Sequence, residues 1–157
     1  RFDSEFPPVQ KLRLKVETNC REHFTILGYE KIPFKVESEW FRGSCEITTY
    51  KLEELLGTKV RALYQRRKGR DLFDLHKAMT THENLDTTNL IKCYLEYIRF
   101  STGQAPSQKQ FIDNMDLKMK DDEFLGDITA LIRPTEKYEH GAAYDLVRTN
   151  LLEKITN

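Results

Sequence analysis

The sequence has no net charge and no long apolar run, and these two absences narrow the classes of function it could serve. Its 25 basic and 25 acidic residues cancel, so no overall field draws the chain to nucleic acid or to an anionic membrane. No apolar stretch has the roughly 20 residues that a membrane-spanning helix needs, and no signal peptide is recognisable. We therefore expect a cytoplasmic protein with no membrane partner, in which any polyanion site is a local patch.

Cysteine is also scarce, and its number and spacing argue against two kinds of site. The sequence has Cys20, Cys45 and Cys93, an odd number without the short spacing of a metal-ligand pair. A disulfide framework and a structural zinc site are both disfavoured. Cysteines of this kind are typical of a reducing compartment, in agreement with the cytoplasmic expectation.

Hydrophobic periodicity divides the chain into a strand-rich part and a helical part. Residues 11–19, 31–40 and 45–50 alternate or are rich in β-branched side chains, which predicts strands. From residue 52 onward the period is helical, and the predicted helices are 52–67, 70–80, 87–101, 107–119, 121–132 and 141–155. The fold class is therefore α+β, with a strand-rich part at 1–50, a pair of helices at 51–82 and a helical bundle at 83–157.

Two cations lie in the apolar stripe of the first predicted helix. At 100° per residue, Lys59 and Arg66 fall among the leucines and Val60 of that stripe. Lysine and arginine are almost never buried unless paired, so an anionic group should lie opposite the helix unless the two side chains extend past their neighbours into solvent. Protein carboxylates and ligand phosphates both meet that need.

The segment around these cations, TKVRALYQRRKGRDLFDL at 58–75, resembles the signature of the AbiEii/AbiGii family. These are nucleotidyltransferase-like toxins of abortive-infection (phage-defence) and type IV toxin–antitoxin systems. Their pattern runs T-K-x-x-A-L-x-x-R, a short insert, then R-D-x-x-D-L. The matching positions here are Thr58, Lys59, Ala62, Leu63, Arg66, Arg70, Asp71, Asp74 and Leu75. A second family motif, K-x-[DE] on a strand, matches Lys15-Val16-Glu17.

The resemblance implies a polymerase-β-like nucleotidyltransferase sheet, of which this chain supplies a part, followed by a helical C-terminal bundle. It also implies Mg²⁺ as the cofactor, since metal ions that bridge triphosphate oxygens need clustered carboxylates. Glu17 is the expected third carboxylate and metal ligand. The sequence contains no G-S…D-x-D motif, so we expect the main metal carboxylates upstream. We interpret the chain as a C-terminal portion of a longer protein. The resemblance does not imply that this portion is active by itself.

The resemblance also assigns roles to the motif residues. Lys59, Asp74, Asp71 and Glu17 are the expected catalytic residues, and the sequence does not rank Asp71 against Asp74. Residues expected to bind nucleotide or phosphate are Lys59, Arg66, Arg70, Thr58 and Lys15.

The implied function is that of a toxin enzyme that transfers a nucleotide from a nucleoside triphosphate (NTP) to RNA, with tRNA as the expected acceptor. A cognate antitoxin protein is the expected restraint. The alternative is a non-catalytic helical module that binds RNA or protein, in which the same charges form structural ion pairs. The basic run 66–70 would suit an RNA backbone in either case, but neither the donor base nor the acceptor can be inferred from these residues.

Overall fold

Two short antiparallel sheets precede six α-helices in the part of the chain that the structure describes. The computed structural model describes residues 1–16, 18, 22–133 and 135–156. Its strands are β1 (Phe2–Asp3), β2 (Lys11–Leu12), β3 (Tyr29–Glu37) and β4 (Arg42–Tyr50). Its helices are α1 (Leu52–Gln65), α2 (Gly69–Thr81), α3 (Thr87–Thr102), α4 (Gln108–Lys118), α5 (Asp122–Gly126) and α6 (His140–Asn150), with a short 3-10 helix at Leu152–Lys154. The α+β class is confirmed.

The hydrophobic core lies among the helices. Its fully buried side chains come from α1, α2, α3, α4, α5 and α6 and from the segment after α6, and include Val60, Leu72, Leu90, Phe111, Phe124, Val147 and Leu152. Helices on both sides of residue 82 contribute to this one core. The predicted boundaries at 50 and 82 stay a prediction. In the described residues, no helix is both long enough and apolar enough to cross a membrane.

Helix α1 packs closely against the backbone of α3 at Gly57. A Cβ atom on Gly57 would lie 2.7 Å from Cβ of Cys93 and 2.9 Å from the backbone nitrogen of Tyr94. Such distances are shorter than van der Waals contact, so only glycine fits there without moving α3. The position of α1 on the bundle therefore depends on Gly57.

A buried carboxylate fastens the strand-rich part to the helices. Glu54 on α1 is fully buried and accepts hydrogen bonds from the backbone N–H groups of Ile26 and Leu27, both at 2.9 Å. It also accepts from the hydroxyls of Thr25 (2.8 Å) and of Tyr97 on α3 (2.7 Å). Burial raises the pKa of Glu54, but these hydrogen bonds outweigh it and the pKa lies below its ordinary value. We call this set of contacts the Glu54 latch.

The strand predictions are confirmed in one place and wrong in another. The predicted strands at 31–40 and 45–50 form the β3–β4 hairpin, with Ile32 opposite Ile47 and Phe34 opposite Cys45. The predicted half-buried strand at 11–19 is wrong for its described residues: only Lys11–Leu12 is a strand. Leu14 and Val16 are exposed. An alternating pattern becomes a strand only where a neighbour accepts its hydrogen bonds, and β1 pairs with just two of these residues.

The predicted helices are confirmed except near the C-terminus of the bundle. The predicted helix 121–132 is wrong beyond Gly126, because the backbone there makes three-residue turns, such as the N–H of Leu131 to the carbonyl of Ile128. The predicted helix 141–155 ends at Asn150 and resumes as the 3-10 turn. Each of the two segments still buries one of its apolar side chains, Ile128 or Leu152, whereas Leu131 is exposed.

Substitution of Gly57 by alanine should destabilise the fold by about 1–2 kcal/mol, because overpacking outweighs the better helix propensity of alanine. Gly126→Ala is the control, since nothing lies within 4 Å of a Cβ there, and it should be neutral or stabilising. Urea unfolding of both variants measures the difference. Equal stability of the two variants would show that α3 can move away from residue 57 without a measurable energetic cost.

Substitution of Glu54 by glutamine should destabilise the fold by about 2–4 kcal/mol at neutral pH, because it weakens four hydrogen bonds at a buried site. The pKa of Glu54 is lowered from 4.5, so its stabilisation is present above about pH 4.5 and is lost as the pH falls through the folded-state pKa. The difference in the free energy of unfolding between variant and wild type should therefore become smaller at acidic pH. Glu53→Gln, the same charge change one residue away, should show no such difference in urea unfolding across pH.

Candidate active site

Lys59 forms an ion pair at the surface where α1 meets α2. Its Nζ lies 2.6 Å from Oδ2 of Asp74 and 3.6 Å from Oδ1 of Asp71. The side chain of Lys59 is 37% exposed and that of Asp74 is 41% exposed. Lys59 therefore lies at the margin of the apolar stripe, and the anionic groups opposite it are protein carboxylates.

Arg66 and Asp71 form a second pair that is much less accessible. Helix α1 ends at Gln65, and Arg66 is extended, which turns its side chain back toward α2. Its Nε and Nη2 donate to Oδ2 and Oδ1 of Asp71, both at 2.7 Å. This bidentate bond to Asp71 raises the pKa of Arg66. The carboxylate is fully buried, whereas the guanidinium is half exposed.

The two aspartates of the R-D-x-x-D motif thus occupy different environments. The helical spacing at i and i+3 suggests a shared side, but Asp71 lies on the buried face with Leu72 and Leu75, and only Asp74 reaches solvent. Burial of Asp71 is tolerated because it contacts two cations, Arg66 and Lys59. Asp71 is placed to brace the corner between α1 and α2, and Asp74 is placed where a ligand can reach it.

The basic run at the same corner is matched by acids from the α4–α5 region. Arg67 pairs with Asp121, and Nζ of Lys68 lies 3.4 Å from Oδ1 of Asp127. Nε of Arg70 lies 3.7 Å from Oδ2 of Asp127. These pairs neutralise the corner, so it is not the strongly positive patch that the run 66–70 suggests.

The remaining predicted site residues are less informative. The hydroxyl of Thr58 donates to the carbonyl of Leu55 at 2.7 Å, so its proton is used within α1. Lys15 is exposed in the segment after β2. Glu17, the predicted metal ligand, lies outside the described residues.

The described donor set does not fit the Mg²⁺ that the sequence resemblance implies. A hard divalent cation needs several carboxylate oxygens with uncompensated charge, but Asp71 and Asp74 already face Arg66 and Lys59. Within 1–16, 18, 22–133 and 135–156, no group of three or more His, Cys, Asp or Glu side chains could hold a metal ion. We derive no step through a metal at these residues.

The family assignment of the chain is decided by residues 1–146, which match the family described as "Nucleotidyl transferase AbiEii toxin, Type IV TA system". The chain belongs to the AbiEii family. Searches among curated proteins and among solved structures find no match. As an AbiEii protein the chain is of the nucleotidyltransferase class, and its family is one of toxin–antitoxin systems.

The burial of two charged residues of this AbiEii chain was not predicted from the sequence. Glu54 and Lys118 are buried, yet each occupies a position that a helical pattern treats as ordinary surface. A signal for Glu54 was present, because Gly57 one turn later marks a close approach that buries this side of α1. No comparable signal marks Lys118, since lysine in the last turn of a helix is common.

Substitution of Asp71 by asparagine should cost far more stability than substitution of Asp74. Asp71→Asn removes a buried charge between two cations and should lower the free energy of unfolding by about 2–4 kcal/mol. Asp74→Asn breaks a half-exposed pair and should cost less than about 1 kcal/mol. Urea unfolding compares the two variants. Equal costs would contradict the distinction between a bracing and an accessible aspartate.

Proposed function

We propose that this protein is a toxin that transfers a nucleotide from an NTP to RNA, with Lys59 and Asp74 as the reactive pair contributed by this chain. The observation that carries the proposal is that this accessible pair lies next to the buried pair of Arg66 and Asp71, which we call the brace. A half-exposed ion pair is worth at most about 1 kcal/mol. Lys59 can therefore exchange Asp74 for a triphosphate oxygen at little cost, as a phosphate-binding point charge.

The brace keeps the position of Lys59 fixed during that exchange. Arg66 holds Asp71 through two hydrogen bonds, so α1 and α2 keep their relative position when Lys59 changes partner. Asp74 is then released next to the bound phosphate, where it accepts the proton of an attacking RNA hydroxyl or orients a basic side chain. The hydroxyl oxygen bonds to the α-phosphorus of the NTP, the α–β phosphoanhydride bond breaks and pyrophosphate leaves. The exposed sides of Arg66 and Arg70 would bind further phosphate oxygens, since phosphoryl transfer depends mainly on positioning and charge neutralisation.

The other parts of the proposal rest on the family. We infer tRNA as the acceptor, a cognate antitoxin as the restraint and the cytoplasm as the compartment. A requirement for Mg²⁺ would have to be met by carboxylates other than Asp71 and Asp74, with Glu17 as one candidate. Thr58 and Lys15 would belong to the same phosphate-binding surface.

A second candidate function is a non-catalytic protein-binding module. The observation that favours it is the β3–β4 hairpin, whose one face carries Ile32, Phe34 and Ile47, each more than 40% exposed. An RNA-binding module is less well supported, because the basic corner is neutralised by Asp121 and Asp127. If the protein is such a binding module, the ion pair of Lys59 with Asp74 only stabilises the fold.

Lys59→Ala should reduce nucleotide transfer on the order of 10²-fold, the usual cost of losing one transition-state contact. The assay uses the full-length protein with Mg²⁺, each α-labelled NTP in turn and total tRNA. Because the pair is half exposed, the variant should stay folded. Lys77→Ala, which removes another lysine paired to a carboxylate, Glu136, is the matched control and should keep transfer near that of the wild type.

The results separate the two functions. Label in tRNA with the wild type and with Lys77→Ala, but not with folded Lys59→Ala, supports the transferase and identifies its donor. Equal labelling by Lys59→Ala removes Lys59 from the site. No labelling by folded wild type with any of the four donors favours the binding module.

A further inference from the structure

Lys118 is a buried cation outside both family motifs. It is the last residue of α4, and only 6% of it is exposed. Glu54, Asp71 and Lys118 are the buried charged side chains in the described part of the chain. A buried lysine is costly unless its three donors find acceptors, so its contacts indicate what it does.

Lys118 closes the C-terminal end of α1. Its Nζ donates to the carbonyls of Leu63 and, at 2.8 Å, of Tyr64. The last carbonyls of a helix have no partner within the helix and carry partial negative charge. The backbone N–H of Arg66 donates a hydrogen bond to the carbonyl of Ala62 at 2.9 Å. The last turn of α1 is therefore fixed by a side chain from α4 as well as by its own backbone.

This contact is next to the brace of the candidate active site. Arg66, which clamps Asp71, follows Tyr64 by two residues and leaves the helix in the direction that the last turn sets. Burial lowers the pKa of Lys118 to about 8, with the charge of Asp71 acting to raise it and that of Arg67 to lower it. Lys118 and the brace thus share one electrostatic environment.

We propose that Lys118 is a positioning residue of the nucleotide site, which holds the end of α1 so that Arg66 keeps Asp71 and leaves Lys59 free to bind a triphosphate. Without Lys118, the last turn of α1 loosens and Arg66 releases the buried carboxylate. The nearest remaining cation for Asp71 is Lys59, whose Nζ is already 3.6 Å from Oδ1. Lys59 would then be drawn to Asp71. This inference rests on the proposed function.

The test compares Lys118→Met, Lys118→Arg and the control Lys109→Met, which alters an exposed lysine in the first turn of the same helix. Each change is made in the full-length protein, and transfer to tRNA is measured against the concentration of the NTP that the wild type uses. Lys118→Met should raise KM for that NTP about tenfold while kcat changes less than threefold. Lys118→Arg keeps the charge and donors and should restore most of the affinity, and Lys109→Met should match the wild type.

A readout independent of activity follows the brace itself. The Nε–H resonance of Arg66, identified by its absence from Arg66→Lys, should be protected from exchange in the wild type because it donates to Asp71. Lys118→Met should lose that protection, whereas Lys109→Met should keep it. A change that affected only overall stability would move the unfolding midpoint without moving the KM or this resonance.

Each outcome decides the inference. Wild-type KM and a protected Arg66 resonance in folded Lys118→Met would overturn it. If Lys118→Met does not fold, Lys118→Gln replaces it, since the amide keeps a donor for one carbonyl and removes the charge, and the same two results are read from it. If the wild type transfers nothing, the proposed function fails, and the Arg66 resonance alone decides whether Lys118 holds the brace.

Discussion

The corner between α1 and α2 depends on the charge of one buried carboxylate. Asp71 is removed from water and is compensated by the bidentate contact of Arg66 and the more distant ammonium of Lys59. Removal of either side of such a pair leaves an uncompensated buried charge or two unneutralised cations. Every functional assignment at this corner therefore depends on Asp71 staying in place.

Helix α1 is fastened at both ends by buried charge and in the middle by close packing. At its start the Glu54 latch holds residues 25–27, and at its end Lys118 binds the last carbonyls. Between them, Gly57 allows contact with the backbone of α3. A helix held in this way presents Lys59 at a defined place, and this rigidity is what a phosphate-binding cation requires.

The sequence predicted the elements better than the environment of their charges. The 3.6-residue period located the helices, and the need for a counter-charge predicted an anionic group opposite Lys59, without deciding between protein carboxylates and ligand phosphates. Periodicity predicts the burial of neither Glu54 nor Lys118, because their partners lie far along the chain, at Thr25 and Leu63. Only Glu54 had another signal in the sequence, at Gly57. The strand prediction at 11–19 was wrong for its described residues, because alternation specifies which side chains share a face, whereas a strand also needs a neighbouring backbone. The family motif brought Asp71 and Asp74 together in sequence without distinguishing them.

Structural and functional interpretations of the motif charges are compatible once burial is considered pair by pair. Ion pairing is often taken as evidence against a site, since stabilising networks also perturb their members. Here the accessible pair, Lys59 with Asp74, contributes little to stability and can exchange partners, whereas the buried pair, Arg66 with Asp71, cannot. A phosphate that enters the corner would meet a cation whose present partner is weakly held and whose supports are strong. Under the proposed function, the same network would keep the fold and bind the ligand, because the buried pair would serve the first task and the accessible pair the second.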